Sequence, residues 1–386
     1  MSVKKVIGKI HLWLGLVSGL VVFVVALSGC ILAFEQEIKH SVFPYLTSKT
    51  QENAKLLPPS KLMEIAAPHV PGKQPNFITY LGRDKSASVM FYGSEPVEYY
   101  YQVFIDPYTG EVKKVWNEDE DFFHTMVHLH YNLLLPIEIG QQIVAGATLV
   151  FVIMLISGLV LWWPKNKSAA KQRFSIKWKA QWRRLNYDLH NVLGFYMMAI
   201  GLVLALTGLV WGYAWFSNAL YYATSGGKQI EDRIFTSDKS LASTKIAQPL
   251  DVLFEGLVAK STKDEGIFFS PPLNDSATLS AGINHRPGTY YKQDVYTYDQ
   301  YTLKPVPRGG VFDGEYASSS FADKLRRMNY DIHVGAILGL PGKILMFLAS
   351  LICASMPITG IYIWWGRKYK TKKKPAARTV PQLAKA

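Results

Sequence analysis

Two stretches of this chain carry residues that could do chemistry, and they are near copies of one another. Arg183-Arg184-Leu185-Asn186-Tyr187-Asp188-Leu189-His190 returns as Arg326-Arg327-Met328-Asn329-Tyr330-Asp331-Ile332-His333. Each copy ends in a histidine and opens into an apolar run with glycine close behind, Gly194 in one case and Gly335 and Gly339 in the other. Asp accepts hydrogen bonds from the free N–H groups of a first helical turn, so each copy reads as a helix-opening cassette with His in that turn. His11 and His130 stand at the ends of two other apolar runs, and His124 and His128 lie just before His130. Haem iron in an electron-transfer site takes two axial ligands from opposite faces of the porphyrin, and imidazole is a common choice. Four histidines in two pairs would therefore serve two haems. The chain has no Cys-x-x-Cys-His attachment motif, so these would be non-covalent, b-type haems.

The elements that position these histidines are membrane spans. Leu12–Phe34, Ile139–Trp163, Asn191–Tyr222 and Ile344–Trp365 contain no Asp, Glu, Lys or Arg, and each is long enough to cross a hydrocarbon core of about 30 Å as a helix. Basic residues set the orientation. Lys4, Lys5 and Lys9 precede the first span; Lys165, Lys167, Lys171, Arg173, Lys177, Lys179, Arg183 and Arg184 fill the second-to-third connection; Arg367, Lys368 and the basic tail follow the fourth. Both termini and that loop are expected to be cytoplasmic, and the two long connections extracytoplasmic. The net charge of +13 is then an orientation signal that calls for no nucleic-acid partner. Leu27-Ser28-Gly29-Cys30 resembles a lipid-attachment signal, yet the apolar run continues through Phe34, so the segment reads as an uncleaved span.

With that orientation the histidines fall into pairs. His11 and His190 begin the first and third spans on the cytoplasmic side, and His130 and His333 precede the second and fourth on the outer side. On the second span His124, His128 and His130 compete for the outer role. His130 lies 33 residues before Trp163, and His333 lies 32 before Trp365, a count that points to His130. Arg pairs with haem propionates through its planar fork, which makes Arg184, Arg326 and Arg327 candidate cofactor contacts. Positive-inside bias alone accounts for Arg183 and Arg184; it does not account for the outer pair.

The repeat extends beyond the cassettes. His11 precedes Gly15 by four residues and Ser28-Gly29 by seventeen; His190 stands in the same relation to Gly194 and Thr207-Gly208. Ser157-Gly158-Leu-Val-Leu-Trp162-Trp163 matches Thr359-Gly360-Ile-Tyr-Ile-Trp364-Trp365. Small residues of this kind let helices approach closely in lipid, and tandem Trp beside basic residues anchors a span at the interface. The expected plan is a four-helix transmembrane bundle with two α+β insertions: spans over 1–36, 138–164, 188–222 and 333–366, outer domains over 37–137 and 223–332, a cytoplasmic loop over 165–187 and a tail over 367–386. The first insertion predicts a helix at Pro59–Ala67, strands at Asn76–Leu81, Ser88–Tyr92, Tyr99–Ile105 and Glu111–Trp116, and a turn at Asp106-Pro107-Tyr108-Thr109-Gly110. The second predicts a helix at Pro249–Lys260 and strands at Gly266–Ser270, Ala277–Asn284 and Lys292–Tyr298, with Asp299-Gln300-Tyr301-Thr302 as the turn.

The Asp106–Glu111 turn with its strand resembles the end of a PepSY domain. His11-Leu-Trp-Leu-Gly15, Leu129-His130-Tyr-Asn-Leu-Leu-Leu, Ser157-Gly158-Leu-Val-Leu-Trp-Trp-Pro164 and Asp331-Ile-His333 resemble PepSY-associated transmembrane proteins. The resemblance runs from Lys9 to Arg367 and implies a bacterial inner-membrane protein of the iron-regulated or ferric-siderophore-reductase type, binding b-type haem. The second insertion departs from the family turn, with Gln300 and Leu303 where the first has Pro107 and Gly110. The implied activity is oxidoreduction: electrons enter at the inner haem and leave from the outer one to a ferric siderophore or other periplasmic acceptor. The cytoplasmic segments are too short for a nicotinamide or flavin domain, so a separate reductase, free flavin or quinol would be the donor. A membrane-anchored, non-redox PepSY binding or regulatory protein is the alternative, and it has no use for paired intramembrane histidines. A transporter would need ionisable groups within the spans, which are nearly devoid of them. Glu118–Asp121 beside His124 reads as a solvated acidic loop rather than a metal site.

Overall fold

The computed structural model describes residues 1–49, 54–94, 98–164, 166–167, 170, 173–244, 246–307 and 309–369. The tail beyond 369, Lys165 and Lys171 lie outside the described residues. The four apolar runs form helices α1 (Val3–Leu32), α5 (Ile137–Trp162), α6 (Trp182–Gly212) and α10 (Leu340–Lys368), of 30, 26, 31 and 29 residues. At 1.5 Å rise per residue each is about 39 Å or more in length, enough to cross a membrane. Between them lie α2 (Glu35–Val42), α3 (Pro59–Ala66), α4 (Phe122–Asn132), α7 (Ala214–Thr224), α8 (Pro249–Lys260) and α9 (Phe321–His333).

The spans form a closed ring in which α1 and α6 each touch both α5 and α10. Small side chains set the spacing. A Cβ on Gly19 would lie 3.2 Å from Pro357, one on Gly212 would meet Ala145 at 2.8 Å, and Ala26, Cys353 and Ala354 share a buried contact. In lipid there is no hydrophobic drive between helices, and this close approach supplies the attraction.

Seven strands, β1 (Phe77–Tyr80), β2 (Ala87–Gly93), β3 (Tyr99–Ile105), β4 (Val112–Asn117), β5 (Gly266–Ser270), β6 (Leu279–Asn284) and β7 (Gln293–Tyr298), make one antiparallel sheet ordered β4-β3-β2-β1-β5-β6-β7. Alternate residues of the central strands, Ile78, Val89, Val103, Ile267, Phe269 and Ala281, are buried beneath Leu62 and Ala66 of α3 and Leu250, Phe254 and Leu257 of α8. Here the expectation of two separate α+β domains is corrected. Each insertion supplies one helix and an antiparallel set of strands, but β1 pairs with β5 in the register Ile78↔Phe269, Thr79↔Phe268, Tyr80↔Ile267. Separate domains would each expose an unpaired strand edge; pairing the two edges removes both and fuses the cores.

The turn that departs from the family pattern keeps its geometry. Asp106 Oδ1 accepts from the N–H groups of Tyr108 and Thr109, and Asp299 Oδ1 accepts from those of Tyr301 and Thr302. Gly110 has φ +79°, and Leu303, its counterpart, takes φ +54°. Asp anchors both turns, and Leu303 accepts the left-handed backbone that glycine adopts freely.

The cassettes do not open their helices. α6 begins at Trp182, so Asp188 lies inside it, bonded to Arg184 one turn earlier and to the Lys177 N–H. The second cassette closes α9, whose N-cap is Ser320, and buried Asp331 accepts from the N–H groups of Tyr290 and Tyr291 in the sheet domain. The third apolar run is also broken, at extended Tyr213 between α6 and α7.

Candidate functional site

Alternation of direction around the ring brings the start of α1, the end of α5, the start of α6 and the end of α10 to one side of the bundle. His11 and His190 both line a cavity of about 850 Å³ there, within the roughly 300–1,000 Å³ of small-molecule and cofactor sites. Gly15, Gly158, Gly194 and Gly360 widen it, and Phe151, Met154, Leu155 and Met356 give it apolar walls. On the side facing the sheet domain, His130 at the end of α4 and His333 at the end of α9 lie side by side, their ring centres 6.1 Å apart and the rings inclined at 71°.

Each imidazole is held the same way by a Ser/Thr-Gly pair on a neighbouring span. His11 Nδ1 lies 2.9 Å from Ser157 Oγ, and His190 Nδ1 lies 2.8 Å from Thr359 Oγ1. His333 Nδ1 lies 2.8 Å from Thr207 Oγ1, and His130 Nδ1 is 3.2 Å from Ser28 Oγ and 2.8 Å from the Val25 carbonyl. Every one of these hydroxyls donates to a carbonyl of its own helix one turn back: Met154, Ser355, Val203 and Val24 respectively. The hydroxyl proton is thereby committed, and its lone pair is left to accept. The Val25 carbonyl can only accept, and the Met356 and Leu204 carbonyls flank His190 and His333 in the corresponding place. The proton therefore sits on Nδ1, and the Nε2 lone pair is the free one. Among the described residues no hydrogen bond reaches any of the four Nε2 atoms.

The glycine of each pair gives the ring its room. A Cβ added at Gly158 would lie 3.4 Å from His11 Cε1, and one at Gly360 would lie 3.5 Å from His190 Cε1. At Gly29 it would lie 3.1 Å from His130 Cε1, and at Gly208 3.7 Å from His333 Cε1. These four dipeptides were legible in the sequence as packing motifs and as marks of the duplication; their bonds to the histidines were not.

The spacing of His130 and His333 fits an iron held between two imidazoles. A metal–nitrogen bond of about 2 Å on each side, plus about 1 Å from nitrogen to ring centre, sets paired imidazole centres about 6 Å apart, close to the separation of His130 and His333. Nδ1–H held by an oxygen and Nε2 left open is the arrangement of metal-ligating histidine in general. Among the described residues no group of three or more His, Cys, Asp or Glu could hold a bare metal ion; these four histidines come in twos. His11 and Ser28, which mark the two sites on α1, are seventeen residues apart, or about 25 Å along the helix.

The remaining candidates fall elsewhere. His128 does not face His333: its Nε2 lies 3.0 Å from His124 Nε2. Arg327 is corrected as a cofactor contact. It is buried, and its guanidinium donates to the carbonyls of Val311, Gln293 and Asp313 at 2.8–2.9 Å, which fixes it as a brace of the sheet domain. Arg326 is half-buried with Asp232 as its charged neighbour, and Arg184 bonds Asp188. The basic residues that line the His11/His190 cavity are Lys4, Lys5, Lys9, Arg173 and Arg367, which the sequence suggested only as orientation signals. Arg173 also donates to Tyr187 Oη and Asn191 Oδ1 at 3.4 and 3.3 Å.

Compared with known families, residues 9–367 match the model of the PepSY-associated TM region. No curated protein matches the chain.

Proposed function

This chain belongs to the PepSY-associated transmembrane family, and from that membership and the geometry of its histidines we propose that it is a di-haem b electron-transfer protein of the bacterial inner membrane. The observation that carries the reading is the fourfold repetition of one device: Nδ1 fixed by an oxygen of the adjacent span, Nε2 open, a glycine against the ring. His11 and His190 hold one haem, and His130 and His333 hold the other. Bound there, haem supplies a reversible one-electron carrier. The chain's own part is to fix ligand tautomer and orientation, to exclude water with apolar walls, and to place basic groups, Arg173 and Arg367 foremost, where propionates can be paired.

The concentration of Lys4, Lys5, Lys9, Arg183, Arg184 and Arg367 at one end of the bundle supports a cytoplasmic placement of that end and of both termini, with the sheet domain in the periplasm. Passing one negative charge outward across an inside-negative membrane releases about 2.3 kcal/mol per 100 mV. The acceptor suggested by the family is a ferric siderophore. Reduction loosens the iron, because hard oxygen ligands hold Fe(III) far better than Fe(II), so the activity is that of a haem-dependent ferric-siderophore reductase. Electrons come from a separate reductase, a free flavin or a quinol. The test is quantitative: protein purified from haem-replete cells carries two haem b per chain by pyridine haemochrome. A colourless preparation overturns the proposal.

A further inference from the structure

Helix α4 has two functional faces. His130 lies two residues, roughly 200°, around the helix from His128 and turns into the bundle, while His124 and His128, four residues apart, share the opposite face. Their rings are 4.6 Å apart between centres, and the two Nε2 atoms converge to 3.0 Å. Asp119, just ahead of the helix, brings Oδ1 to 4.0 Å from His124 Nε2, with the side chains of His124 and Asp119 26% and 47% exposed. The helix start is pinned independently: Asp121 caps it through the His124 N–H and is paired with Lys39 at 2.7 Å.

We propose that the two nitrogens of His124 and His128 form an exchangeable surface site for a divalent first-row transition ion, with water completing the coordination and Asp119 as a charged neighbour outside it. Two nitrogens about 2.1 Å from one ion and about 90° apart lie about 3.0 Å from each other, so the pair is already spaced as cis ligands of an octahedral or tetragonal ion. Imidazole suits Zn(II), Fe(II), Ni(II) and Cu(II). Two protein nitrogens make an open site, able to take up and release its ion, unlike a closed structural one. For both Nε2 atoms to face an ion, the proton shared between them must move to the Nδ1 of its own ring; on His128 that atom lies 3.5 Å from Asn132 Nδ2, so the Asn132 amide must turn aside as the ion enters. The proposal is independent of the haem reading, since neither ring takes part in the His130/His333 pair.

The test is a calorimetric titration of the untagged full-length chain in detergent with Ni(II). One ion binds per chain, and His124→Ala and His128→Ala each weaken it at least about tenfold, since even an outer partner of a metal ligand is worth about 10–100-fold. Asp119→Asn weakens it less. The visible haem spectrum and melting temperature of each variant check that the fold is kept. A second measurement needs no variant: Ni(II) protects His124 and His128, but not exposed His40, from diethylpyrocarbonate as read by mass spectrometry. Binding that is unchanged in the His124→Ala/His128→Ala double variant, or the absence of protection, refutes the site and shows the pair to be a plain imidazole–imidazole hydrogen bond.

Discussion

Replacing glycine by alanine beside each histidine yields a graded series whose order is set by four distances. Gly29→Ala puts a methyl 3.1 Å from His130 Cε1 and 3.2 Å from Ser350 Oγ, against an optimum of about 3.5–4.0 Å between carbons. The ring must give by several tenths of an ångström. With no haem bound, His130 is tied at one nitrogen only, Nδ1 to the Val25 carbonyl at 2.8 Å, and the ring can pivot about that bond. As a ligand it would be tied at both nitrogens, Nε2 to the iron, and could not. Overpacking of this kind costs about 1–3 kcal/mol, which converts to a loss of outer-haem affinity of about 5- to 150-fold. Gly208→Ala places its methyl 3.7 Å from His333 Cε1, an ordinary contact, and leaves affinity within about threefold. Gly158→Ala and Gly360→Ala, at 3.4 and 3.5 Å, fall between. In all four, alanine adds about 0.5–1 kcal/mol of helix propensity relative to glycine, so the Gly208→Ala chain should melt slightly higher. The assay is haem retained per chain after transfer to excess apomyoglobin, alongside the melting curve. Equal haem loss from Gly29→Ala and Gly208→Ala, or none from Gly29→Ala, refutes the view that these glycines make room for ligand rings.

His190→Ala should lose the haem of its own site and keep the other, and His333→Ala the converse, by haem quantification; loss of both from a folded single variant contradicts two independent sites. Arg327→Gln strips the carbonyls of Val311, Gln293, Asp313 and Gly314 of a charged donor, at about 1.5–3 kcal/mol for a hydrogen bond to a charged group. It should lower the melting temperature of the sheet domain by several degrees while barely moving either haem potential; a large potential shift without destabilisation would return Arg327 to the haem. His285 is a pH pin. Burial opposes its charge, but hydrogen bonds to Asp294 at 2.9 Å and Glu265 at 2.6 Å outweigh that and hold its pKa above the ordinary value. A raised folded pKa means that its stabilisation is complete below the unfolded value of about 6.5 and is lost as pH rises through the folded one. The melting temperature of wild type should therefore decline on going upward from about pH 6.5, and His285→Gln should flatten that slope; the same slope in both would assign it to other groups.

Much of this architecture could be read from local signals. The four spans are visible because no charge interrupts them, and α8 and β5 occupy the residues expected, because Pro249 starts the helix and turn residues bound the strand. The union of two sheets into one was not legible, since strand alternation identifies a buried face without saying which edge meets which. Asp188 and Asp331 have the composition of N-caps, yet one pairs within its helix and the other reaches across to Tyr290 and Tyr291; tertiary partners outweighed a local preference. The competition among His124, His128 and His130 turns on helical phase, which places His130 beside His333 and turns the other two outward. Arg326-Arg327 shows the limit of reading by analogy: the sequence is duplicated, but Arg183 and Arg184 stand in the first turn of α6, whereas Arg327 is enclosed by sheet-domain carbonyls.

If electrons cross the membrane through two histidine-held sites in series, the loss of either site stops them. Proteoliposomes that enclose a reduced flavin, with a ferric siderophore and an Fe(II) chelator outside, measure this. Fe(II) should appear outside with the wild-type chain, at a rate that falls to the protein-free background in His190→Ala and, separately, in His333→Ala. Wild-type rates in either single variant, shown to lack the haem of that site, would contradict it.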